Sequence, residues 1–525
     1  MLTPRVLPLG DRALLAEVDA LAEVMELHRR LQASRPAGVI DLVPAARTVL
    51  VRVDPAALPL VTARSWIVGA AHADAAADAV TEAAVVELPT VYDGDDLAGL
   101  AAELGLSPEE LVARHATAEW TVAFTGFAPG FGYLVSADWP YAVPRLAQPR
   151  TRVPAGAVGV AGEFTGVYPR ETPGGWRLLG TTSATLFDPD AADPALLAPG
   201  MRVRFAPARA EATVGAVAPT AARPAPVPEG RGREAAPPAP ALRIIKPGLL
   251  ATIQDQGRPG HAGEGVAVSG AADRSALRTA HRLVGNREGA AGVEVTMGGF
   301  RAVALADTWF AVTGAWGPMR LDGRDVDSYT AHSWPAGAEL AIDWFAHGVR
   351  AYLAVRGGVD AVRVAGSRST DVLAGLGPAR LRAGDELTLA GETAGGIPPE
   401  DLHPWGAPSD ALVEIALAPG PRADWFAPGA LSTLFESTWT VSNEADRVGI
   451  RLDGPELVRA RDGELPSEGM APGALQVPPS GRPVILGVDG PVTGGYPVIA
   501  VVADADRDAL AQARPGTRLR FRHAR

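Results

Sequence analysis

The alternation of apolar and polar positions divides the chain into short strands and a few amphipathic helices. Near the N-terminus, the runs GDRALLAEV and TVLVRVD are typical of strands. Between them, Val24, Leu27 and Leu31 recur at the spacing of one helical face. This order of elements predicts a small α/β sandwich domain over residues 1–84.

From Val85 onward the pattern changes to short strands separated by glycine and proline, with two capped helices among them. Ser107 and Glu110 are spaced as the N-cap and the third residue of a helix with the sequence SPEELVARHA. Asp273 is placed to cap a second helix, which is expected to end near Gly285. Many short strands at this spacing are typical of barrels or sandwiches, so the predicted fold class is mostly β with α+β character.

Residues 208–241 contain alanine, proline and glycine with almost no large apolar side chain. Such a composition cannot build a core and predicts a semi-extended linker. The linker separates a first part that ends at residue 207 from a second part that begins at residue 242.

Two sequence segments recur in the same order in both parts of the chain. VPAGAVGVAGEFTGVYP at residues 153–169 resembles VPPSGRPVILGVDGPVTGGYP at residues 477–497. LLAPGMRVRFAP at residues 196–207 likewise resembles LAQARPGTRLRFRHA at residues 510–524. Two matches in the same order predict that both parts end in related β-barrel units.

Charge and composition exclude several classes of function. The formal net charge of −12 and the pI near 5.3 argue against a broad nucleic-acid-binding face. The chain has no cysteine, which excludes disulfides and thiolate catalysis, and its single lysine, Lys246, is not in a phosphate-loop motif. The sequence MLTPRVLPLG lacks a signal-peptide pattern and no run of about eighteen apolar residues occurs, so a cytoplasmic location is expected.

The remaining chemistry lies in loops where glycine occurs beside arginine, carboxylate and amide side chains. Four such loops span residues 253–273, 442–454, 467–481 and 485–497. Each alone is compatible with a solvated β-turn, whereas four in one half of the chain favour a cleft for a small polar molecule. The segment FTGFAPGFGYL at residues 124–134 either forms a self-packed turn or lines a binding surface, and we expect it near the last two loops.

These segments give the chain a resemblance to two protein families. Residues 1–207 resemble the KipI-like family, also called the 5-oxoprolinase B subunit or allophanate hydrolase subunit 1, through LGDRALLAEV, GFAPGFGYL and TPGGWRLLGTT. Residues 242–525 resemble the KipA-like family, also called the 5-oxoprolinase C subunit, allophanate hydrolase subunit 2 or biotin-dependent carboxyltransferase, through KPGLLATIQDQGRPG, GSRSTD, SNEADRVGIRLDG and DGPVTGGYPVIA. The resemblance implies cyclophilin-like β-barrels in both halves, one over residues 85–207 and a tandem pair over residues 242–525.

The resemblance also implies that the chain is the fused B/C component of an ATP-dependent 5-oxoprolinase. Similar proteins work with a third protein of the LamB/YcsF type and open 5-oxoproline to L-glutamate, so that partner and ATP with Mg²⁺ are expected. Phosphorylation of the amide oxygen would turn the resonance-stabilised lactam into a better electrophile.

Two alternative functions stay open. One is the carboxyltransferase component of a biotin-dependent urea carboxylase, with biotin on a separate carrier because Lys246 lacks the flanking methionines of a carrier motif. The other is a regulatory protein that binds a histidine kinase.

The candidate site residues follow from the polar loops and from this resemblance. Arginine forks would hold phosphoryl charge, and carboxylate or amide groups would orient the N–H and C=O of a lactam. The catalytic candidates are Arg447, Arg451, Glu468 and Asp489. The substrate-binding candidates are Phe127, Gly130, Phe131, Tyr133, Gln476 and Tyr496. The nucleotide-binding candidates are Gly257, Arg258, Gly494 and Gly495, and no dedicated metal site is predicted.

Overall fold

The computed structural model describes residues 2–73, 85–146, 148, 150–189, 191, 194–209, 239–399, 406–463 and 465–524. The predicted linker lies almost entirely outside these residues. Within them the chain is mostly β, with cyclophilin-like β-barrels in both halves, and the predicted fold class is confirmed.

The N-terminal domain is a four-stranded antiparallel sheet with two helices on one face. Its elements are β1 (Arg5–Pro8), β2 (Ala13–Glu17), α1 (Leu21–Ala33), β3 (Val39–Pro44), β4 (Thr48–Val53) and α2 (Leu60–His72). The strand order is β1-β2-β4-β3. The apolar face of α1 is buried through Val24, Leu27 and Leu31, which share one core with Ile67 of α2.

The first barrel begins at β5 (Val85–Thr90) and ends at β13 (Arg202–Pro207). Between them lie α3 (Leu97–Glu103), α4 (Pro108–Thr117), β6 (Trp120–Thr125), β7 (Gly132–Val135), β8 (Arg150–Val153), β9 (Ala157–Ala161), β10 (Phe164–Val167), β11 (Thr172–Gly174) and β12 (Arg177–Thr181). The strand order is β12-β9-β10-β7-β6-β13-β5, and a bridge between Val91 and Thr181 joins its edges. Helix α4 starts with the predicted capping box, in which the Ser107 N–H donates to the Glu110 carboxylate at 2.8 Å.

The middle module consists of two sheets that enclose one apolar core. Its elements are β14 (Leu242–Pro247), β15 (Leu250–Gln254), α5 (Arg274–Leu283), β16 (Gly292–Thr296), β17 (Phe300–Ala304), β18 (Thr308–Trp316), β19 (Met319–Leu321), β20 (Arg324–Asp325), β21 (His332–Trp334), β22 (Glu339–Ile342), β23 (His347–Val355) and β24 (Glu386–Leu387). The sheet orders are β20-β19-β22-β17-β14-β24 and β15-β16-β23-β18-β21. Asp273 caps α5 as predicted, accepting the N–H of Ala276 at 2.9 Å.

The last barrel is closed, in the order β25-β32-β29-β30-β27-β26-β33. Its elements are β25 (Leu412–Pro419), α6 (Ala430–Glu436), β26 (Thr438–Val441), β27 (Gly449–Asp453), β28 (Glu468–Gly469), β29 (Ala474–Gln476), β30 (Val484–Leu486), β31 (Thr493–Gly494), β32 (Val498–Val502), α7 (Arg507–Ala511) and β33 (Arg518–His523). Short 3₁₀ turns lie at Ala262–Glu264, Ala423–Trp425 and Asp504–Asp506.

The first and last barrels share one topology, as the sequence echoes predicted. In each, the final strand pairs in parallel with the first, so that Phe205 lies opposite Leu88 and Phe521 lies opposite Ile415. The second echo falls on these equivalent strands, β13 and β33. The first echo is offset by one strand, because it covers β9 and β10 in one barrel but β30 and β31 in the other. Its shared residues are mostly glycines and prolines of turns, which recur at several corners of a barrel.

The sheet of the N-terminal domain is buried on both faces. Helices cover one face, and the other packs on the last barrel. The large apolar side chains at this interface are Leu7, Leu15, Leu50, Met470, Leu486 and Val501. Backbone bonds add to it, from Gly10 N to the Pro419 carbonyl and from Ala46 N to the Ser467 carbonyl, both 3.0 Å long. The two halves of the chain therefore pack directly against each other.

None of the helices in the described part of the chain combines the length and the apolar character needed to cross a membrane.

Candidate functional site

The two halves also meet at the loop between β6 and β7, which holds the segment FTGFAPGFGYL. The N–H of Phe127 donates to Thr493 Oγ1 at 3.1 Å, and the hydroxyl of Thr125 donates to the carbonyl of Gly263. A Cβ atom added at Gly126 would overlap the side chain of Thr493, so this glycine permits the close approach. The expected position of the segment, near the loop at residues 485–497, is confirmed.

Phe127 is the exposed ring of this segment. Its side chain is 42% exposed, and its φ of 65° lies in the left-handed region that is rare for residues other than glycine. Phe131 and Tyr133 instead pack against Trp176 within the first barrel. Gly130 has a φ of 80° and forms the turn between the two strands. Phe127 therefore offers ring surface at the interface, whereas Gly130 shapes the turn and Phe131 and Tyr133 pack inside the first barrel.

Arg447 lies in a buried ion network that joins the middle module to the last barrel. Its Nε is 2.9 Å from Asp489 Oδ2, and its Nη1 is 2.7 Å from Glu294 Oε1. Its Nη2 donates to the carbonyl of Gly270 at 2.7 Å. Burial acts to lower the pKa of Arg447, but the two carboxylates outweigh burial and raise that pKa above its ordinary value. The structure thus brings together two predicted catalytic residues, Arg447 and Asp489, in contacts that hold two modules together.

Arg258 and Asp371 are both buried, and both retain polar atoms without a partner among the described residues. Arg258 donates from Nη2 to the carbonyl of Ser369, whereas its Nε and Nη1 have no hydrogen-bond partner. Asp371 accepts the backbone N–H groups of Leu373 and Ala374 through Oδ1, at 2.9 and 2.7 Å, whereas its Oδ2 has no partner. The two charges attract each other, yet no direct ion pair joins them in the described structure. Each group therefore keeps hydrogen-bonding capacity that none of the described residues uses.

Arg170 of the first barrel lies beside Asp371. Its Nη1 donates to the carbonyl of Leu373 at 2.6 Å, its Nε is buried without a partner among the described residues, and its charge interacts with Asp371. Burial and the neighbouring carboxylate of Asp489 raise the pKa of Asp371 to about 6. A carboxyl group with such a pKa can exchange a proton near neutral pH. We call Arg170, Arg258, Asp371, Asp489 and Arg447 the interface cluster.

Glu468, a predicted catalytic residue, lies in a different buried ion pair. Its carboxylate is 2.9 Å from Arg422 Nε, and Arg422 Nη2 is 2.7 Å from Glu17 of the N-terminal domain. Burial raises the pKa of Glu468, although Arg422 opposes this effect. Arg422 therefore links the last barrel to the N-terminal domain through Glu17, and Glu468 pairs with it inside the barrel; the catalytic role of Glu468 stays a prediction.

Arg451 and Gly257 do not belong to the interface cluster, and each has a partner elsewhere. The side chain of Arg451 is 51% exposed, with its Nε 3.3 Å from the carboxylate of Glu444. The N–H of Gly257 donates to Asp255 Oδ1 at 2.8 Å, so it does not point to a ligand. The catalytic role of Arg451 and the nucleotide-binding role of Gly257 stay predictions.

The other sequence candidates surround the β28–β31 pair. Gly494 lies opposite Glu468 in this pair, and the carbonyl of Gly495 accepts the N–H of Leu465 at 3.0 Å. Gln476 and Tyr496 are half-buried. Nothing in these contacts assigns a ligand, and the binding roles of these residues stay predictions.

Three residues of the site were not among the sequence candidates: Arg170, Glu294 and Asp371. Glu294 had a signal, since it is a carboxylate in the middle of the otherwise apolar strand GVEVT and needs a buried partner. Asp371 ends the segment GSRSTD, where Asp255 accepts the hydroxyls of Ser367 and Ser369, both at 2.6 Å. Arg170 follows the repeated YP pair and has no local signal of its own.

Among the described residues, neither a metal-binding group of side chains nor the cleft beside α1 coincides with this site. In the described ranges, no three His, Asp or Glu side chains are grouped so as to hold a metal ion. A cleft of about 780 Å³ lies between α1 and the first barrel, with His28, Arg35 and Glu264 in its wall and no member of the interface cluster.

Comparison with known proteins identifies both halves. The family described as carboxyltransferase domain, subdomain C and D, matches residues 4–197, and the family described as carboxyltransferase domain, subdomain A and B, matches residues 264–523. The chain is 38% identical to the 5-oxoprolinase C subunit of Escherichia coli (strain K12) over 285 residues, which are 53% of this chain and 90% of that protein. It is 51% identical to the 5-oxoprolinase B subunit of Escherichia coli O157:H7 over 129 residues, which are 24% of this chain and 59% of that protein.

Among solved structures, one resembles both halves of this chain together. The crystal structure of TTHA0988 has a TM-score of 0.81 and 37% identity, and the match covers 99% of this chain and all of that one. The urea amidolyase of K. lactis has a TM-score of 0.52 and 28% identity, with 56% of this chain and 19% of that one covered. This chain therefore belongs to the carboxyltransferase-domain family, with subdomains C and D in its first half and subdomains A and B in its second.

Proposed function

We propose that this chain is the fused B and C component of an ATP-dependent 5-oxoprolinase. The observation that carries the proposal is that one chain contains regions similar to both the C subunit and the B subunit of 5-oxoprolinase. A partner of the LamB/YcsF type, which completes the ring opening to L-glutamate, belongs to the proposal. Joining two subunits that act on one substrate raises their effective concentration to about millimolar.

The interface cluster supports a lactam as the substrate. A lactam presents a C=O acceptor and an N–H donor side by side in one ring. The unpartnered N–H groups of Arg258 are donors for the C=O, and Oδ2 of Asp371 is an acceptor for the N–H. Because both groups are buried, each hydrogen bond would be stronger than in water.

The same groups suit the activation of that lactam. ATP with Mg²⁺ would supply the phosphoryl group, and the two unpartnered nitrogens of Arg258, Nε and Nη1, fit an anionic oxygen. Asp371, with its pKa of about 6, would take the proton from the lactam nitrogen as the lactam oxygen gains the phosphoryl group. Arg170 would hold negative charge from the side of the first barrel. ADP would leave as the lactam oxygen takes the terminal phosphoryl group of ATP. The partner would then add one water to the activated carbon and break the ring C–N bond, giving an acyl phosphate with a free amine. A second water would release phosphate and L-glutamate.

Carboxyl transfer to urea is the second candidate, favoured by the family description and by the likeness to urea amidolyase. Arg258 and Asp371 could orient urea in the same way, with biotin on a separate carrier. The lactam is preferred because the match to the 5-oxoprolinase C subunit spans 90% of that protein, whereas the K. lactis urea amidolyase is covered over only 19% of its length.

The deciding experiment measures glutamate and phosphate formed from ATP and 5-oxoproline by the purified chain, with and without the LamB/YcsF-type partner. We expect product only when both proteins are present. Asp371→Asn should lower kcat by about 10²- to 10⁴-fold. Asp453→Asn, which changes an exposed carboxylate near Arg482, should leave the rate unchanged. Turnover of urea with carboxybiotin, and none of 5-oxoproline, would favour the second candidate.

A further inference from the structure

A separate cavity of about 180 Å³ lies where three modules meet. Arg12 and Arg52 of the N-terminal domain, Arg274 of the middle module and Arg507 of the last barrel all line it. Apolar side chains such as Val268 and Val488 form the rest of the wall, together with Ser269. Four guanidinium groups around one small cavity are unusual, because like charges repel in a partly buried space.

Three of the four arginines share a single carboxylate. Asp504 lies 2.9 Å from Arg12 Nε, 3.1 Å from Arg274 Nη1 and 3.2 Å from Arg507 Nη1. Each guanidinium carries five N–H donors, whereas one carboxylate offers about four acceptor positions. Donors therefore exceed the acceptors that Asp504 provides.

In the cavity wall itself, four guanidinium groups stand beside two carboxylates, Asp11 and Asp504, whereas Asp41, Asp508 and Asp54 pair with the arginines without being part of the wall. Asp41 pairs with Arg52, and Asp508 lies 3.4 Å from Arg274 Nε. Asp11, which also lines the cavity, accepts the backbone N–H of Asp504 at 3.0 Å. Asp54 Oδ1 lies 4.0 Å from Arg12 Nη1, and both side chains are partly exposed.

Arg507 shows the consequence of this imbalance. Burial and the neighbouring charge of Arg274 lower its pKa to about 10, with Arg52 adding to the effect. A bound anion would relieve both the desolvation and the repulsion. A neutral ligand would relieve neither.

The hydroxyl of Ser269 is evidence for a binding site that is independent of the charges. Its side chain is 3% exposed, its hydroxyl has no hydrogen-bond partner among the described residues, and it lies in the wall of the same cavity. A buried hydroxyl without a partner is rare in proteins, since such groups are normally satisfied by protein, water or ligand.

We infer that this cavity is a binding site for a phosphate-class oxyanion, held by Arg12, Arg274, Arg507 and Ser269 at the junction of the three modules. The volume fits one or two phosphate groups but not a whole nucleotide, whose pockets measure about 300–1,000 Å³. The phosphate could be free or the terminal group of a nucleotide that extends out of the cavity. This inference does not depend on the proposed reaction.

The test is isothermal titration of the full chain with inorganic phosphate, at constant ionic strength. We expect one saturable site, with affinity at least tenfold weaker in Arg507→Gln and in Arg12→Gln. Arg12→Gln is the safer variant, because its side chain is 42% exposed and its loss should not prevent folding. Ser269→Ala should weaken binding by a smaller factor. The matched control is Arg482→Gln, which removes an exposed guanidinium near Asp453 and should bind phosphate as the unmodified chain does.

Competition separates the two sources of phosphate. Displacement of phosphate by ATP, with loss of ATP binding in Arg12→Gln, would assign the site to a nucleotide; failure of ATP to compete would assign it to free phosphate. Either outcome supports the site. Absence of saturable phosphate binding, equal binding in Arg12→Gln and Arg507→Gln to that of the unmodified chain, or equally tight binding of acetate would overturn it.

Discussion

Arg447 and Arg258 are both buried near Asp489, but their charges are compensated differently. Arg447 contacts Asp489, Glu294 and a backbone carbonyl, so its charge is matched on several sides. Arg258 keeps two nitrogens, Nε and Nη1, without a partner in the described structure. A buried donor left unpaired costs about 1–3 kcal/mol. The contacts of Arg447 are therefore those of a structural residue, whereas a binding role for Arg258 belongs to the proposed function.

The first prediction follows from this difference. Arg447→Gln should lower the free energy of unfolding by about 3–5 kcal/mol, because it leaves two buried carboxylates without their counter-charge. Chemical denaturation, followed by fluorescence of the eleven tryptophans, would measure the change.

Arg451→Gln is the matched control, four residues further along the chain. Arg451 and Glu444 form an exposed pair, with side chains 51% and 74% accessible. Such pairs contribute about 0.2–1 kcal/mol, so the loss should be correspondingly small. Equal losses in the two variants would contradict the structural role given to Arg447.

At the scale of elements, the β6–β7 loop matters because it joins the halves through backbone rather than through long side chains. Phe127 holds a left-handed conformation there, and its N–H bonds to Thr493. Gly126 beside it has no space for a side chain, since Thr493 fills the position that a Cβ atom would take. The two barrels can approach this closely because residue 126 is a glycine and has no Cβ atom.

The second prediction concerns Gly126→Ala, which should lower the free energy of unfolding by about 1–3 kcal/mol through overpacking. Thr493→Ala should restore part of the loss, giving a non-additive double mutant. Thermal denaturation of the four proteins in this cycle would measure both effects.

The control for this cycle is Gly99→Ala. Gly99 lies in α3, and no atom lies within 4 Å of the position that its Cβ would occupy. Alanine there should be neutral or stabilising by about 0.5–1 kcal/mol, as expected for a helix interior. Additive effects of Gly126→Ala and Thr493→Ala would show that the two residues do not meet.

At the scale of the whole molecule, the N-terminal sheet is the element that unites the halves. Its second face supplies Leu15 and Leu50 to a core that it shares with the last barrel. The buried ion pairs from Arg422 to Glu468 and Glu17 lie at the same interface. The halves are thus held by packing as well as by the covalent connection between them.

The third prediction tests this arrangement by cutting the chain. A protease site introduced between residues 210 and 238, once cleaved, should leave two fragments that elute together in size-exclusion chromatography. Leu15→Asp should separate the cleaved fragments, because it buries an unpaired charge in the shared core. Val61→Asp, at a position 72% exposed, should leave them together. Separation of the unmodified fragments after cleavage would refute the role of this interface.

Local features of this protein were predictable because their determinants lie close together in sequence. Ser107 and Glu110 are three residues apart, and so are Asp273 and Ala276, so each cap forms as its helix begins. The barrel topology was also foreseeable, since the echo at the ends of the two parts marks equivalent closing strands.

The site was predictable only in part, because its contacts join residues far apart in the chain. Arg447 and Asp489 were both recognised, but the partnership of Arg447 with Glu294 spans 153 positions. Asp371 ends the motif GSRSTD, but the motif alone does not show that this carboxylate lies beside Arg258, and Arg170 stands in no local pattern.

The amino-acid sequence by itself determined the helices and their caps, the β-rich fold class, the related barrels and the absence of lysine and thiol chemistry. Those properties depend on periodicity, on spacings of a few residues and on composition. Only the tertiary structure decided which charges meet: it paired Arg447, left Arg258 and Asp371 partly unpaired, and gathered four arginines around one cavity. The physical reason is that the pairing of a buried charge depends on which modules pack against it, and no local pattern in the chain records that packing.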